Sequence, residues 1–336
     1  MKKILILKND RTGDLFTSLK TINLIFNKHK HDQIEIYLSK INENFKFLFK
    51  PKKIKVINLN LDFLNKIKIL FYFFCNKIDT VYILTPKNFY FFLPLFFFYK
   101  QIKFYGICID AKKFRPNLFL RKFLYKKIVI NRINIKQRNS TYDIQQLLIE
   151  KQNNFTNLLN DDVASNLNFN FPKNPVYFHY KHKMFNDLLK WDFIKVKKFI
   201  EFLSSVKGNI VFSSELNNKS SDEFFTQSFN SYDFNNKKEN IINSKKILFL
   251  KNIDGLNLYT TIKNSSKIIA PEGIITHIGY HLQKEILSLM HFNLRNRQDF
   301  INQIISCKEW FPPTKFNFVV LKKNFDDSIR KLEKRL

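Results

Sequence analysis

Ile4-Leu5-Ile6-Leu7-Lys8-Asn9-Asp10-Arg11-Thr12-Gly13-Asp14 opens the chain with a short apolar run followed by a polar loop. Beyond it Leu15, Leu19, Ile22, Ile25 and Phe26 recur at three- and four-residue spacing, which predicts an amphipathic helix. Strand, loop and helix in that order are the start of an α/β unit with a parallel sheet. A loop at the carboxyl end of the first strand of such a sheet faces the ligand crevice. Gly13 permits a tight turn and close approach of a partner. Asp14 stands at the start of the helix, where a carboxylate either caps backbone N–H groups or takes a proton; local sequence alone favours the cap. The loop is not a phosphate-binding P-loop, because the second Gly and the Gly-Lys-Ser/Thr ending are missing.

Outward from this start, Ile34–Leu38, Ile54–Leu59, Thr80–Leu84 and Ile102–Gly106 read as further strands. Helical stretches at Asp62–Cys75 and Asn88–Tyr99 lie between them. Around Asn166–Pro175 the periodicity lapses into Asn, Phe and Pro, as an interdomain linker does. Alternation then restarts with the strand Val176–His179, the helix Asp192–Val206 and the strand Asn209–Ser213. Ile247–Leu250, Lys267–Ala270 and Ile286–Met290 continue the series. Asn217–Asn240 reads as loop plus a short helix, and Asn324–Leu336 as a basic terminal helix. No period of 20–50 residues recurs, which argues against a solenoid. The expected architecture is α/β, with domains over residues 1–170 and 171–322, a terminal helix over 323–336, and a cleft between the domains as the default site.

Composition narrows the function classes. The chain has 336 residues, 57 Lys+Arg against 28 Asp+Glu and a formal net charge of +29, yet 45% hydrophobic residues and 39 Phe exclude a disordered polycation. Such charge points first to nucleic acid or an anionic membrane. Ala, however, occurs only at Ala111, Ala164 and Ala270 while Lys, Asn, Ile and Phe crowd every segment. That bias is expected of an AT-rich coding sequence, so part of the charge is compositional. Cys75, Cys108 and Cys307 are too few and too scattered for a disulfide framework or a zinc site, which implies a reducing, cytoplasmic compartment. Met1–Lys8 is too short for a signal segment, and Asn88–Tyr99, broken by Pro94, falls short of the ~20 residues of a spanning helix.

A second strand-to-helix turn is Ala270-Pro271-Glu272-Gly273-Ile274-Ile275-Thr276-His277. A helix N-terminus offers unpaired N–H donors and a positive dipole end, which suits a phosphate. Gly273 supplies close approach, Thr276 a hydroxyl and His277 a donor; the plainer reading makes His277 a core histidine and Glu272 a cap. The loop Tyr180-Lys181-His182-Lys183, with Lys190-Trp191 beyond it, is basic enough for a diphosphate, although chance supplies such runs in so lysine-rich a chain. No Asp-x-Asp, Gly-x-Ser-x-Gly or His-Glu-x-x-His pattern is present. The pattern is that of metal-independent transfer from a nucleotide-linked donor.

Taken together, these motifs resemble those of the heptosyltransferase-type glycosyltransferases, glycosyltransferase family 9. The opening run is similar to the family's first signature, His179 with Lys190-Trp191 to its middle motif, and Pro271–His277 to its second signature. The resemblance implies a GT-B architecture of two Rossmann-like domains, acceptor in the first and nucleotide sugar in the second. It implies an inverting, metal-independent reaction needing no cofactor, with Asp14 as general base and Lys190 offsetting charge on the departing diphosphate. Asp10, Arg11 and Gly13 would bind substrate, as would His179, Glu215, Glu272, Gly273, Thr276 and His277; Glu215 matches a position near the nucleoside. The implied partners are an ADP-heptose-like donor and a lipid-linked glycan of the lipopolysaccharide-core or another envelope type. Departures are Ile274, where the family usually has Gly, Glu272 for a commoner Asp, and a Lys-Trp pair that is adjacent instead of separated.

Over Lys112–Lys127, Phe and Leu interleave with Lys and Arg. This segment is read either as a helix lying on an anionic membrane at the inner face of the cytoplasmic membrane, or as a core-packed helix with a solvated basic face. Two rival functions remain from the sequence alone. One is a non-catalytic nucleotide- or glycan-binding family member; the other, a nucleic-acid-binding protein, lacks any recognised binding motif.

Overall fold

Ile4, Leu5, Ile6 and Leu7 are all buried in strand β1 (Lys3–Lys8), as a central parallel strand covered on both faces requires. The computed structural model of the chain describes all residues except 50–51, 111–118, 132–139, 150–155, 161, 163–166, 168, 216–217, 243–245, 293–300, 302, 305–306, 308 and 312–316. The chain forms two units. Unit 1 comprises Met1–Asp162 and Asn296–Thr314; unit 2 comprises Val163–Arg295 and Lys315–Leu336.

Unit 1 continues through α1 (Thr12–Lys28), β2 (Gln33–Ser39), β3 (Lys53–Ile57), α2 (Phe63–Cys75), β4 (Thr80–Ile83), α3 (Asn88–Phe96), β5 (Lys103–Asp110), β6 (Lys126–Asn131) and α4 (Thr141–Gln146). Every strand pair is parallel and the order is β3-β2-β1-β4-β5-β6. The strand order therefore reverses between β1 and β4, and ligands bind at such a reversal in open α/β sheets. Leu5 and Leu7 share one core layer with Val81, Ile83 and Phe104, and Ile69 and Phe73 of α2 with Phe91 and Leu93 of α3 close it. Leu15, Leu19, Ile22 and Ile25 of α1 are fully buried, each worth about 1.5–3 kcal/mol against exposure.

One expectation fails here. Lys126–Asn131 is a strand paired to β5, not the end of a basic helix over Lys112–Lys127. Ile128, Val129 and Ile130 are β-branched and fit a pleated surface, which outweighs the helical spacing of the aromatics before them. Residues 111–118 lie outside the described residues, and Arg121–Phe123 make a single 3-10 turn.

Unit 2 is built from β7 (Val176–His179), α5 (Phe193–Lys207), β8 (Ile210–Ser213), α6 (Lys219–Ser228), β9 (Asn230–Asp233), β10 (Lys238–Asn240) and β11 (Ile247–Lys251). It goes on with α7 (Gly255–Lys263), β12 (Lys267–Pro271), α8 (Ile274–His281), β13 (Glu285–Met290), β14 (Phe318–Val320) and α9 (Phe325–Glu333). The order is β10-β9-β11-β8-β7-β12-β13-β14, and among the described residues only the β10–β9 pair is antiparallel. Here the reversal falls between β7 and β12.

The region expected as loop plus a short helix holds α6 and then pairs as β9 and β10. β10 is a polar edge strand and β9, between it and β11, is polar as well, so neither shows the alternation that marks a strand. The terminal helix belongs to unit 2: Asn324 caps it and Leu332 is fully buried in the unit 2 core. Trp191, also buried, donates its indole N–H to the Lys323 carbonyl at 3.0 Å, which ties that tail to the segment after β7. Residues 296–314 group with unit 1, where the Thr141 amide donates to the Glu309 carbonyl at 2.9 Å.

Close packing of α8 on β12 depends on Gly279. A Cβ there would lie 2.2 Å from Ile268 Cδ1 and 3.3 Å from Ile286 Cδ1. Gly279→Val is expected to cost about 1–3 kcal/mol by overpacking, read as a lower urea midpoint with unchanged slope.

Candidate functional site

In unit 1 the loop after β1 is held from several elements. Ser39 Oγ, at the end of β2, and Asn42 Nδ2 donate to the Asp10 carbonyl at 2.6 and 3.0 Å. Tyr90 of α3 donates its hydroxyl to Asn9 Oδ1 at 2.6 Å, and Asn9 Nδ2 donates to the Asn58 carbonyl at 3.1 Å. Lys87, just before α3, reaches across the β1/β4 reversal to the Asn9 carbonyl at 2.9 Å and also bonds the Leu59 carbonyl. Burial pushes the Lys87 ammonium down to about 8, against a smaller opposing pull from Asp10. A loop tied by this many bonds holds one geometry, as a preorganised site needs.

The candidate residues on this loop differ in use. Asp10 Oδ2 is paired with the buried Lys8 ammonium at 2.7 Å, while its Oδ1 is buried without a hydrogen-bond partner among the described residues. Thr85 Oγ1, Asn88 Oδ1 and Asn42 Oδ1 are in the same condition. Arg11 is exposed at the N-cap position of α1 and makes no side-chain cap there. Gly13 is the second residue of α1, so its backbone is helical and no tight turn forms at it. Asp14 lies in the first turn of α1, half-buried, and does not occupy the N-cap. Thr17 and Ser18 donate their hydroxyls to its backbone carbonyl at 2.8 and 3.0 Å.

In unit 2 the ends of β7, β8 and β12 come together by register. Phe178 pairs with Ile269 of β12, and His179 with Ser213 of β8. His179 Nδ1 lies 3.2 Å from Ser213 Oγ, whose other neighbour at 2.5 Å is the Tyr177 hydroxyl. Burial, helped by the Lys181 charge, brings the His179 imidazole down to about 4. Lys181 donates to the Glu272 carbonyl at 3.3 Å and so spans the β7/β12 reversal. Unit 1 does the same with Lys87: each unit sets a lysine ammonium across its own switch point.

The turn after β12 uses its residues in distinct ways. Gly273 has φ +157°, a region that residues with a Cβ rarely enter, and it starts α8 without any side-chain cap. The first-turn N–H groups of α8 thus face no capping side chain. Thr276 is buried and donates its hydroxyl to the Gly273 carbonyl at 2.7 Å. His277 is buried too, which lowers its imidazole to about 4 and keeps it neutral at pH 7. Glu272 is exposed.

Beside these ends an open hollow of about 670 Å³ is lined by His182, Lys183, Asp187, Glu215, Asn218 and Lys219 among others. Glu215 Oε2 accepts the His182 backbone N–H at 2.8 Å, so the basic loop and Glu215 meet. Lys190 is exposed at φ +59° after a π-helical turn over Lys183–Leu188, and no hydrogen bond or ion pair joins it to the Glu272 turn among the described residues.

No family sequence model matches the chain, and no curated protein matches it by sequence. Solved structures do. Escherichia coli heptosyltransferase WaaC, solved with ADP-2-deoxy-2-fluoro heptose, superposes with a TM-score of 0.63 at 10% identity over 99% of this chain and 98% of its own. A family 9 glycosyl transferase from Veillonella parvula gives 0.59 at 13% identity, over 100% and 90%. These likenesses show the fold, which is GT-B. The UDP-GlcNAc 2-epimerase of Methanocaldococcus jannaschii shares it at a TM-score of 0.57 and 13% identity, over 100% and 93%. The fold is a scaffold shared by different activities, so function has to be argued from the residues themselves.

Lys87, Thr85 and Asn88 escape notice in the sequence. A single Lys among 57 basic residues carries no signal, although its place between the strand Thr80–Leu84 and a helix was available. Lys181 is visible there only as one of a basic run.

Proposed function

We propose that the chain is an inverting, metal-independent glycosyltransferase that moves a heptose-like sugar from a nucleoside diphosphate to a lipid-linked glycan, of the lipopolysaccharide-core or another envelope type. The supporting observation is Asp14, half-buried in the first turn of α1 at the unit 1 switch point, behind a loop clamped from several elements. Unit 1 is the acceptor side on this reading. The buried, unpartnered Asp10 Oδ1, Thr85 Oγ1 and Asn88 Oδ1 suit a hydroxyl-rich molecule, since a buried polar atom without a partner costs about 1–3 kcal/mol. Unit 2 is the donor side, with the uncapped start of α8 and the Lys181 ammonium facing the diphosphate and Glu215 near the nucleoside.

The reaction is a single displacement. An acceptor hydroxyl oxygen bonds to the anomeric carbon as the bond from that carbon to the donor phosphate breaks. The hydroxyl proton passes to the Asp14 carboxylate, and the electron pair leaves with the nucleoside diphosphate. Attack from the face opposite the leaving group inverts the anomeric centre. Lys181, Lys190 and the α8 dipole stabilise charge that grows on the departing diphosphate, where fixed positive groups act most strongly. Arg11, exposed beside Asp14, and Gly273, which admits the phosphate closely, complete the substrate contacts. A cytoplasmic setting follows from nucleotide-sugar supply.

A thermal-shift screen against ADP-, GDP- and UDP-sugars, followed by turnover with and without a glycan acceptor, tests this reading. One donor should raise Tm, because a ligand that binds only the folded chain stabilises it. Lys181→Met should weaken that donor about tenfold, a loss of ~1.4 kcal/mol. Consumption of donor should require acceptor. The fold shared with UDP-GlcNAc 2-epimerases favours one rival, chemistry confined to the nucleotide sugar, and acceptor-independent turnover would establish it instead.

A further inference from the structure

Helix α2 is apolar on two opposite faces. Ile69 and Phe73 point into the unit 1 core. Phe63, Leu64, Ile67, Phe71 and Phe74 fall within an arc of about 100° on the other side, and all five are exposed. Helix α3 repeats the arrangement: Phe91 and Leu93 pack inward while Phe92, Leu95 and Phe96 face solvent. The two helices belong to one layer, since the Phe73 and Phe97 rings lie 5.3 Å apart and Lys100 donates to the Phe73 carbonyl at 2.7 Å. Phe119 and Phe123 extend the layer, with the Lys122 ammonium 4.6 and 5.2 Å from their ring centres. Contiguous apolar exposure on this scale marks an interaction surface.

Charge decides the partner. Between Phe63 and Ile109 the chain carries Lys66, Lys68, Lys77, Lys87, Lys100 and Lys103 but a single acid, Asp79. Asp79 is engaged by the Lys3 backbone N–H at 2.7 Å. Lys66 and Lys68 flank the aromatic arc of α2, and Lys77 is exposed just past its end. A second copy would set one lysine rim against another on a chain of net charge +29, which opposes self-association. Among the described residues no helix is long and apolar enough to cross a membrane. Aromatic side chains between lysines on a helix too short to span suit the headgroup region of an anionic bilayer.

We propose that the α2–α3 face of unit 1 docks on an anionic lipid bilayer, its phenylalanines entering the interface and its lysines meeting the headgroups. The face is centred on α2 and α3, with Phe119, Lys122 and Phe123 from the end of the Lys112–Lys127 segment at its margin. It serves the proposed lipid-linked acceptor yet stands without it, because binding is read separately from turnover.

Sedimentation of the full chain with vesicles of phosphatidylcholine alone, and with phosphatidylserine mixed in, tests the docking. Phe63, Phe71 and Phe98 are 75%, 67% and 77% exposed, so their replacement leaves the core intact. The parent should bind the anionic vesicles at least about tenfold better than the neutral ones, and less at high salt. The variant F63S/F71S/F98S should lose at least about tenfold of that binding while keeping the parent's Tm and donor-induced shift. Lys66→Gln with Lys68→Gln and Lys77→Gln should lose the preference for the anionic vesicles. Equal binding of the parent to both compositions overturns the proposal, as does full binding by the serine variant. So does a dimer that forms without lipid and dissociates in that variant.

Discussion

Asp14→Asn is expected to cut transfer by about 10²–10⁴ while leaving the donor-induced rise in Tm unchanged. The loss corresponds to ~2.7–5.5 kcal/mol of barrier, the weight of a general base removed from a single displacement. Asn keeps the size of the side chain and cannot accept the acceptor proton. Thr17 and Ser18 bond the backbone carbonyl of residue 14, not its side chain, so the substitution leaves both contacts in place. An acid in the first helical turn contributes about 0.3–1 kcal/mol through the dipole. Loss of turnover with retained fold and retained donor binding is therefore the expected signature. An unchanged kcat would remove Asp14 from the mechanism and leave the donor side of the reading standing.

Acidification from about pH 6.5 to about pH 4 is expected to remove stability from unit 2. Burial brings His277 from 6.5 to about 4 and does most of the same for His179. Between those values an unfolded chain binds protons at both imidazoles while the folded chain does not. Stability therefore rises with pH through this window, is fully present above about 6.5, and is lost as pH falls toward 4. For His277, which is 5% exposed, the loss is on the order of 3 kcal/mol. His29 in unit 1 is shifted in the same direction, chiefly by burial, and adds to the trend. Urea midpoints across the window read the slope. The variant His277→Gln should show a shallower slope than the parent by about one proton, since its carboxylates titrate as before. Equal slopes would mean that His277 takes up its proton in the folded state.

How much of this was legible beforehand depends on what kind of pattern a residue makes. β1 and α1 were readable because a run of four buried aliphatics gives way to a period of three and four, and both periods follow from burial. The Lys267–His277 turn was readable for the same reason. β9, β10 and β14 were not, since polar or three-residue strands on or near a sheet edge leave no periodic trace. The end of the Lys112–Lys127 segment, Lys126 and Lys127, was misread because its basic residues continue the helical spacing of the aromatics before them while opening the strand β6. Of the candidate residues, the sequence gathers Asp10 to Asp14 by adjacency. It contains nothing that brings Lys181 to Glu272, Lys87 to Asn9 or His182 to Glu215, because those meetings are made by strand order. The exposed face of α2 was hidden in another way. In a chain with 39 Phe, a helix apolar on two sides looks like a buried one until its neighbours are known.

The interleaved tracing of the two units has a consequence for synthesis. Unit 1 takes residues Asn296–Thr314, and unit 2 takes Lys315–Leu336 with β14 and α9. A ribosome must synthesise Val163–Arg295, most of unit 2, before the last part of unit 1 emerges, so unit 1 cannot finish ahead of the bulk of unit 2. Neither can be excised as one uninterrupted gene fragment. A single stop codon near position 295 would strip both at once: the carbonyls of Glu309 and Phe311 from α4 and its approach, and the last strand and helix from unit 2.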